Sequence, residues 1–593
     1  MNPVIPHSRN HAIHPSSAAC TAPGLPLQSA TMKSTSAWLS SAIIYQVNLR
    51  SLAAREPRNA IEAATEKPLS ESPLAYLTRH LPRLRRLGFN VLYLLPPYPI
   101  GHFARKGIGS PYASRDFATI EPEYGSKAEI LALIRRAHEL KLKILFDITP
   151  NHTARDHVWM TEHPDYYVQA EDGSAFFDCD WSDTAKLDYT NHALRHAMVQ
   201  VYDHWLSILG PDEHGRPDGI DGFRLDMAHF INDKSFWDEA LPILRARHPD
   251  RELLFMAECY GFGNNTDLFA RGMDAAYDDD FYKLCQYAYA VDEAGNSRLR
   301  LSGDAQHNHD FHAILDDWQD GGIAAAAAHI LMQYEKAASR FAGPRFTARY
   351  TDNHDEGRGL YRFGPGGFRA MNTLAFLAPR TLPFLLTGEE FGALDRPSIH
   401  ARCQPCDKGR RILGADGRER HQEGVELEGN LFDRGIEARQ HWYQFFKELV
   451  ALRKKNRPLT DGACAILDVG EDAPPHERTV IAFDRKLGRQ LIRCAVNLGD
   501  QPRTLSRATN LFVVNPSTAP SSPATSCPRS RRWCSRSRKE RIQKPEFRIQ
   551  NGSRRPPRTF PVLNGRIWDQ ASVRVILSEG ARRRSRNIWS QPQ

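Results

Sequence analysis

Eight short apolar runs alternate with helix-length stretches along this chain, and that alternation limits the fold more than any other feature of the sequence. The runs are Ala42 to Leu49, Phe89 to Pro96, Lys143 to Thr149, Gly219 to Asp226, Leu253 to Cys259, Met273 to Asp279, Phe346 to Asn353 and Leu382 to Glu390. Helical stretches are read at Leu77 to Leu87, Lys127 to Leu142 and Asn191 to Leu209, and a final one at His441 to Asn456 closes the set. In the second of these, Ile130, Leu133, Ile134, Ala137 and Leu140 fall on one stripe at the helical period. Strand–helix repetition of this kind predicts a parallel sheet, and eight repeats predict an α/β fold closed as a (β/α)8 TIM barrel.

A chain of 593 residues exceeds what one compact core supports, and the pattern divides it. Residues 1–35 are rich in Ser, Pro, His and Ala and read as a disordered N-terminal extension, with Met32 a candidate for the true start. The barrel occupies 36–457, with a short polar subdomain carrying aromatics at 153–190, after the third strand. From 458 to 506 the pattern becomes antiparallel: Thr479 to Arg485 and Gln490 to Asp500 predict a small, partial all-β domain. Residues 507–593 form a Ser/Pro/Arg-rich tail with 19 Lys+Arg against 4 Asp+Glu, a net +15, which leaves −7 on the rest of the +8 chain. The tail is read as a disordered extension or the product of a reading-frame slip, in preference to a nucleic-acid-binding arm. No stretch has the length of a membrane span, and no basic start with an apolar core marks a secretory signal. The 10 cysteines give no disulfide framework, and Cys403-x-x-Cys406 with His400 nearby lacks a fourth zinc ligand. Reduced thiols and a cytoplasmic location are the expectation. Oligomeric state is left open.

Four segments in fixed order carry the chemistry: DITPNH (Asp147 to His152), GFRLDMAH (Gly222 to His229), MAECYG (Met256 to Gly261) and YTDNHDE (Tyr350 to Glu356). Each ends a strand-like run, and a (β/α)8 barrel builds its active site from the C-terminal ends of several strands. Asp226, Glu258 and Asp355 supply the carboxyl pair that glycosidic cleavage needs, plus a third group for the substrate. Arg224 lies two residues before Asp226, on the same face of a strand, where a guanidinium favours the ionised carboxylate. Phe255 and Met256 beside Glu258 are expected to raise its pKa toward that of a general acid. Taken singly these are bland: Arg–Asp pairs are common, a strand-end Glu is ordinary, Asp and Asn at a turn cap helices, and a lone histidine is more often structural. Their joint occurrence after strands three, four, five and seven is not. Trp159, Tyr167, Phe177 and Trp181 fit either a sugar-binding rim or the insertion's own small core.

On these segments the chain resembles glycoside hydrolase family 13, the α-amylase family. SPYASRDFATIEPEYGS (Ser110 to Ser126) and LPFLLTGEEFG (Leu382 to Gly392) are similar to further family segments, and the resemblance covers about Ala42 to Asp500. It implies a retaining mechanism on α-glucan oligosaccharides: Asp226 as nucleophile, Glu258 as acid and then base, and Asp355 as stabiliser of the distorted ring. Arg224 would hold Asp226 charged, His152 and His354 would bind sugar hydroxyls, and Tyr112 would stack on the sugar. Hydrolysis of α-1,4 bonds in maltodextrins is the leading expectation, with transglycosylation or action on trehalose or sucrose as alternatives. A non-catalytic binding subunit is disfavoured by the intact carboxylates. No cofactor is required; calcium is possible through Asn151 and Asp188, with the metal site unassigned. Two departures stand out: Ala113 where the family often has Asp, and His229 and Phe230 where many amylases have Lys-His. The second bears on acceptor-side contacts and on the calcium site.

Overall fold

The computed structural model describes residues 38–52, 71–105, 107–290, 309–393, 399, 411–413, 419–421, 440–507 and 573–577. The N-terminal extension, the Cys403/Cys406 pair and most of the basic tail lie outside them.

Eight parallel strands close into a barrel: β1 (Ile44–Val47), β2 (Val91–Leu94), β3 (Lys143–Ile148), β4 (Gly222–Leu225), β5 (Leu254–Ala257), β6 (Ala275–Tyr277), β7 (Phe346–Arg349) and β8 (Thr381–Leu386). They pair in chain order, and β8 returns to β1 through Ile44↔Phe384. All eight apolar runs of the sequence are therefore barrel strands. They are shorter than those runs because the last residues of each leave the ladder to build the mouth.

Alternation along each strand divides the core. Ile144, Phe146, Phe223 and Phe255 face outward under the helices. Ile44, Tyr93, Leu145, Met256, Tyr277 and Phe384 belong to a second cluster. The helix Lys127–Glu139 starts with a reciprocal Ser126/Glu129 capping box and buries Ile130, Leu133, Ile134 and Ala137, the stripe expected from periodicity. Gly222 opens β4 with φ +149°; a Cβ there would lie 2.0 Å from the Leu254 carbonyl oxygen, so only glycine lets β4 approach β5 this closely.

Helices Asp279–Tyr289, His309–Lys336 and Gly359–Leu377 fill the stretches between β6 and β8 where the sequence reading assigned none. The latter two contain Gly-Gly or Gly-Pro-Gly-Gly, which read locally as breakers. Gly322 kinks the first of them with φ +71°, and a Cβ there would lie 2.4 Å from the Arg478 carbonyl oxygen. The glycine thus serves the contact with the C-terminal sheet.

That sheet is antiparallel, β9 (Ala463–Ile466), β10 (Val480–Leu487), β11 (Gln490–Asn497) and β12 (Val573–Leu577) in spatial order. The sequence ended the β domain at 506; here its fourth strand comes from within the 507–593 tail, pairing Val573 with Val496. A five-residue stretch with four apolar residues around Arg574 is easily hidden in an Arg/Ser-rich background. Ile481, Phe483, Ile492 and Val496 share a core with Phe363 and Leu377 of the barrel helices. Buried Arg485 joins the two parts by donating to the carbonyls of Leu377 (2.8 Å) and Gly462 (2.9 Å).

The insertion after β3 holds a two-stranded hairpin, His152–Ala154 with Thr184–Lys186, and a short helix, Val158–Glu162. None of the described helices is long and apolar enough to cross a membrane.

Candidate active site

Arg224 organises the mouth of the barrel. The register of β3 and β4 sets it opposite Asp147, and its side chain is fully buried. Nη1 donates to Asp147 Oδ1 at 2.9 Å and to Asp226 Oδ1 at 2.7 Å, while Nη2 lies 2.9 Å from Glu258 Oε2. One guanidinium therefore touches three carboxyl groups from three strand ends.

The backbone contributes to this junction. The Asp226 and Glu258 amides continue the ladder by donating to Ile148 and Leu225 carbonyls at 2.9 Å each. Immediately after Asp226 the chain turns through Met227, a non-glycine residue at φ +46°. Such a conformation costs of order 1 kcal/mol or more, and here it aims the Met227 N–H at Glu258 Oε2 (3.0 Å).

Burial and the neighbouring Glu258 charge push the Asp226 carboxyl well above the usual carboxylate range, and the opposing pull of Arg224 does not offset them. The sequence had Arg224 holding Asp226 charged; the guanidinium is in place but is shared among three acids. The surroundings of Glu258 also differ from the expected apolar pocket. Its oxygens meet Arg224, the Met227 N–H and the Tyr260 hydroxyl, which donates to Oε1 at 2.9 Å.

Tyr112 and His354 form a second group. Their rings stack with centroids 5.3 Å apart, and the Tyr112 hydroxyl lies 2.6 Å from His354 Nε2 and 2.9 Å from Asp147 Oδ2. Gln46 from β1 donates to His354 Nδ1 at 2.9 Å, which leaves the ring proton on Nε2. That nitrogen lies 2.7 Å from Asp355 Oδ2, whose side chain is half-exposed (47%). Helix capping does not explain Asp355, because the next helix starts only at Gly359 with Arg358 at its N-cap position, and the turn before it is closed by Asn353 Oδ1, which accepts from the Asp355 and Glu356 amides. Tyr93 completes the group by donating to Asp147 Oδ2 at 2.6 Å.

His152 is buried beside Trp181, its ring 5.4 Å from the indole, and burial lowers its pKa to about 4. Trp181 also packs on Phe230 at 6.3 Å. His229 lies edge-on to Phe230 and Tyr260, and its pKa too is lowered to about 4 by burial. Both histidines are neutral near pH 7. Of the four insertion aromatics, Tyr167 is core, with its hydroxyl 3.0 Å from Thr153 Oγ1. Trp159 packs edge-on against Phe117 and Tyr166, and Phe177 lies under the Arg155 guanidinium. Trp181 is the one joined to the mouth through His152.

The structure thus brings Asp226, Glu258 and Arg224 into one cluster and Tyr112, His354 and Asp355 into another, linked through Asp147. The sequence reading passed over Asp147, Gln46, Tyr93 and Tyr260. Asp147 had a readable signal, since it stands in DITPNH one strand away from Arg224. Gln46 had none, because β1 carries no motif.

The two residues named for calcium already have protein partners. Asp188 Oδ1 already accepts from Asn232 and from the Thr190 amide and hydroxyl. Asn151 donates to Asp178, whose two oxygens hold the Lys186 ammonium. Among the described residues no group of three or more His, Cys, Asp or Glu side chains is placed to hold a metal ion.

With this geometry in view, comparison with known proteins is direct. The α-amylase catalytic domain family matches residues 72–462, and the chain belongs to that family. It is 23% identical over 516 residues to Alpha-amylase 3 of Dictyoglomus thermophilum, an alignment covering 81% of this chain and 87% of that one. It is 31% identical over 195 residues to the alpha-1,4-glucan:maltose-1-phosphate maltosyltransferase of Rhodospirillum rubrum, covering 30% of this chain. The chain spans only 27% of that relative's length. Among solved structures, an α-amylase from Lactobacillus plantarum matches with a TM-score of 0.53 and 25% identity over 78% of this chain and 90% of that one.

Proposed function

We propose that this protein is a retaining glycoside hydrolase that cleaves α-1,4-glucosidic bonds of maltodextrin-like α-glucans. One observation carries the reading: Asp226 and Glu258 contact the same guanidinium, at 2.7 and 2.9 Å. Two carboxyls held on one guanidinium are close together, as the spacing of roughly 5 Å in a retaining pair requires.

In this mechanism Asp226 attacks the anomeric carbon as Glu258 protonates the departing glycosidic oxygen. Glu258 then takes a proton from water, whose oxygen displaces Asp226. For this step Asp226 must be ionised and Glu258 must carry the proton. Asp355 and His354 grip hydroxyls of the sugar being cleaved, Tyr112 packs against its ring, and His152, neutral, offers a further hydrogen bond. Asp147 and Gln46 position this group through Tyr112, Arg224 and His354.

Transglycosylation uses the same covalent intermediate and is the second reading. It is favoured by the aromatic corner of Trp181, Phe230, His229 and Tyr260 beside Glu258, where an acceptor sugar could pack. The five described cysteines are free thiols, three of them buried, which supports a reducing, cytoplasmic setting. The test is incubation with maltoheptaose alongside Asp226→Asn, with products followed by chromatography. Shorter products from the wild type alone are expected. Longer products in addition would move the reading to a transglycosylase, and no turnover by folded protein would overturn both.

A further inference from the structure

In the insertion after β3, a lysine is tied through Asp178 to Asn151, one of the two residues through which the family resemblance makes calcium possible. Lys186 ends the second strand of the hairpin, paired with His152 at the start of the first. Its Nζ lies 2.8 Å from Asp178 Oδ1 and 2.9 Å from Oδ2. Both side chains are largely buried, at 12% and 14% exposure. Asp178 Oδ2 also accepts from Asn151 Nδ2 at 2.8 Å, and Asn151 accepts the Leu187 N–H at its backbone carbonyl (3.0 Å). Asn151 thereby ties the end of β3 to the hairpin, and Lys186 neutralises the carboxylate at the centre of the tie.

We infer that the Lys186 ammonium replaces a divalent cation at this junction, so that the insertion is fastened to the barrel without calcium. A monovalent ammonium with three donors suits one carboxylate. Calcium takes six to eight oxygen ligands at about 2.3–2.6 Å, and it would have to displace an ammonium already in contact with both Asp178 oxygens. One atom marks what the lysine leaves unmet: Asn151 Oδ1 is buried with no hydrogen-bond partner. The arrangement also lies against the sugar-facing side, since Asn151 Nδ2 is 3.3 Å from His152 Nδ1 and the Asp178 and Lys186 charges pull the His152 pKa in opposite directions. Lys186 is thus a positioning residue for the wall that carries His152.

The test reads stability and metal binding without turnover, so it stands or falls separately from the proposed activity. Thermal melts of the wild type are compared in EGTA and in millimolar CaCl2, with calorimetric titration of Ca2+ at 25 °C. The expected result is a Tm equal in both within about 1 °C and no binding heat. A Tm that rises with calcium and saturates would overturn the inference. Lys186→Met, which keeps the stem and removes the charge, is expected to lower Tm by about 5 °C by stranding Asp178, and Ca2+ is expected to restore part of that loss. An unchanged Tm in Lys186→Met would overturn the inference. Should that variant not fold, the wild-type titration decides alone.

Discussion

The two halves of the barrel mouth are built differently. On one side, Asp147, Tyr93, Tyr112, Gln46 and His354 are joined by direct side-chain hydrogen bonds. On the other, Trp181, Phe230, His229 and Tyr260 meet through ring edges, and Tyr260 is 40% exposed. A network of buried groups hydrogen-bonded to one another holds a fixed shape, as discrimination of one sugar and its transition state requires. Aromatic faces at an open rim accept rings in more than one pose. The contrast suggests that the polar half sets which bond is cleaved and the aromatic half sets what takes the glycosyl group afterwards. Arg224 belongs to both halves, which is why its three acids are the hinge of the account.

The largest effect tests the junction itself. Glu258→Gln is expected to lower turnover of maltoheptaose by about 10³-fold or more, while a glycosyl donor whose leaving group needs no proton loses far less. Equal losses on both would show that Glu258 is not the acid. Next comes the polar half: Tyr112→Phe and His354→Asn are each expected to cost about 10- to 100-fold in kcat/KM, with the loss mainly in kcat, because the bonds tighten on the distorted sugar. A pure KM effect would reduce this half to ordinary ground-state binding. For the aromatic half, Tyr260→Phe keeps the ring and removes the bond to Glu258. It is expected to change the ratio of longer to shorter products by a few-fold and to leave bond selection intact.

Two smaller effects follow from protonation. Asp226 has its carboxyl raised above its unfolded value, so the native state binds a proton that the unfolded chain has released. Stability is therefore present at low pH and is lost as pH rises through the raised value, and Asp226→Asn should raise Tm at pH 7–8 by about 2 °C while abolishing turnover. Lower stability in that variant would mean that the Arg224 contact outweighs burial. Asp280, buried near Asp278 and Asp279, is raised to about 7. The same sign applies: its contribution is lost as pH rises between the unfolded carboxylate range and about 7. Asp280→Asn should flatten the decline of Tm across that window.

The barrel was legible because buried parallel strands read as unbroken apolar runs, from Ala42 to Glu390. The carboxylates were legible because the mouth is made where those runs stop. What escaped was non-local. No local pattern tells that Gln46 meets a histidine 308 positions away. Two of the three helices between β6 and β8 were hidden by their own glycines. Their reason is tertiary: Gly322 makes room for Arg478 and Gly367 for the ring of Tyr289. The shared guanidinium was half visible. The i, i+2 spacing set Arg224 beside Asp226, yet nothing in that spacing announced that Glu258 and Asp147 would claim the same group.

The central claim is that Asp226 and Glu258 stand close enough for double displacement. Proton NMR of the first sugar released from maltoheptaose, recorded before mutarotation, tests it most directly. The account predicts that the new reducing end appears as the α-anomer and drifts toward equilibrium. Initial release of the β-anomer would mean single displacement by water and would contradict it.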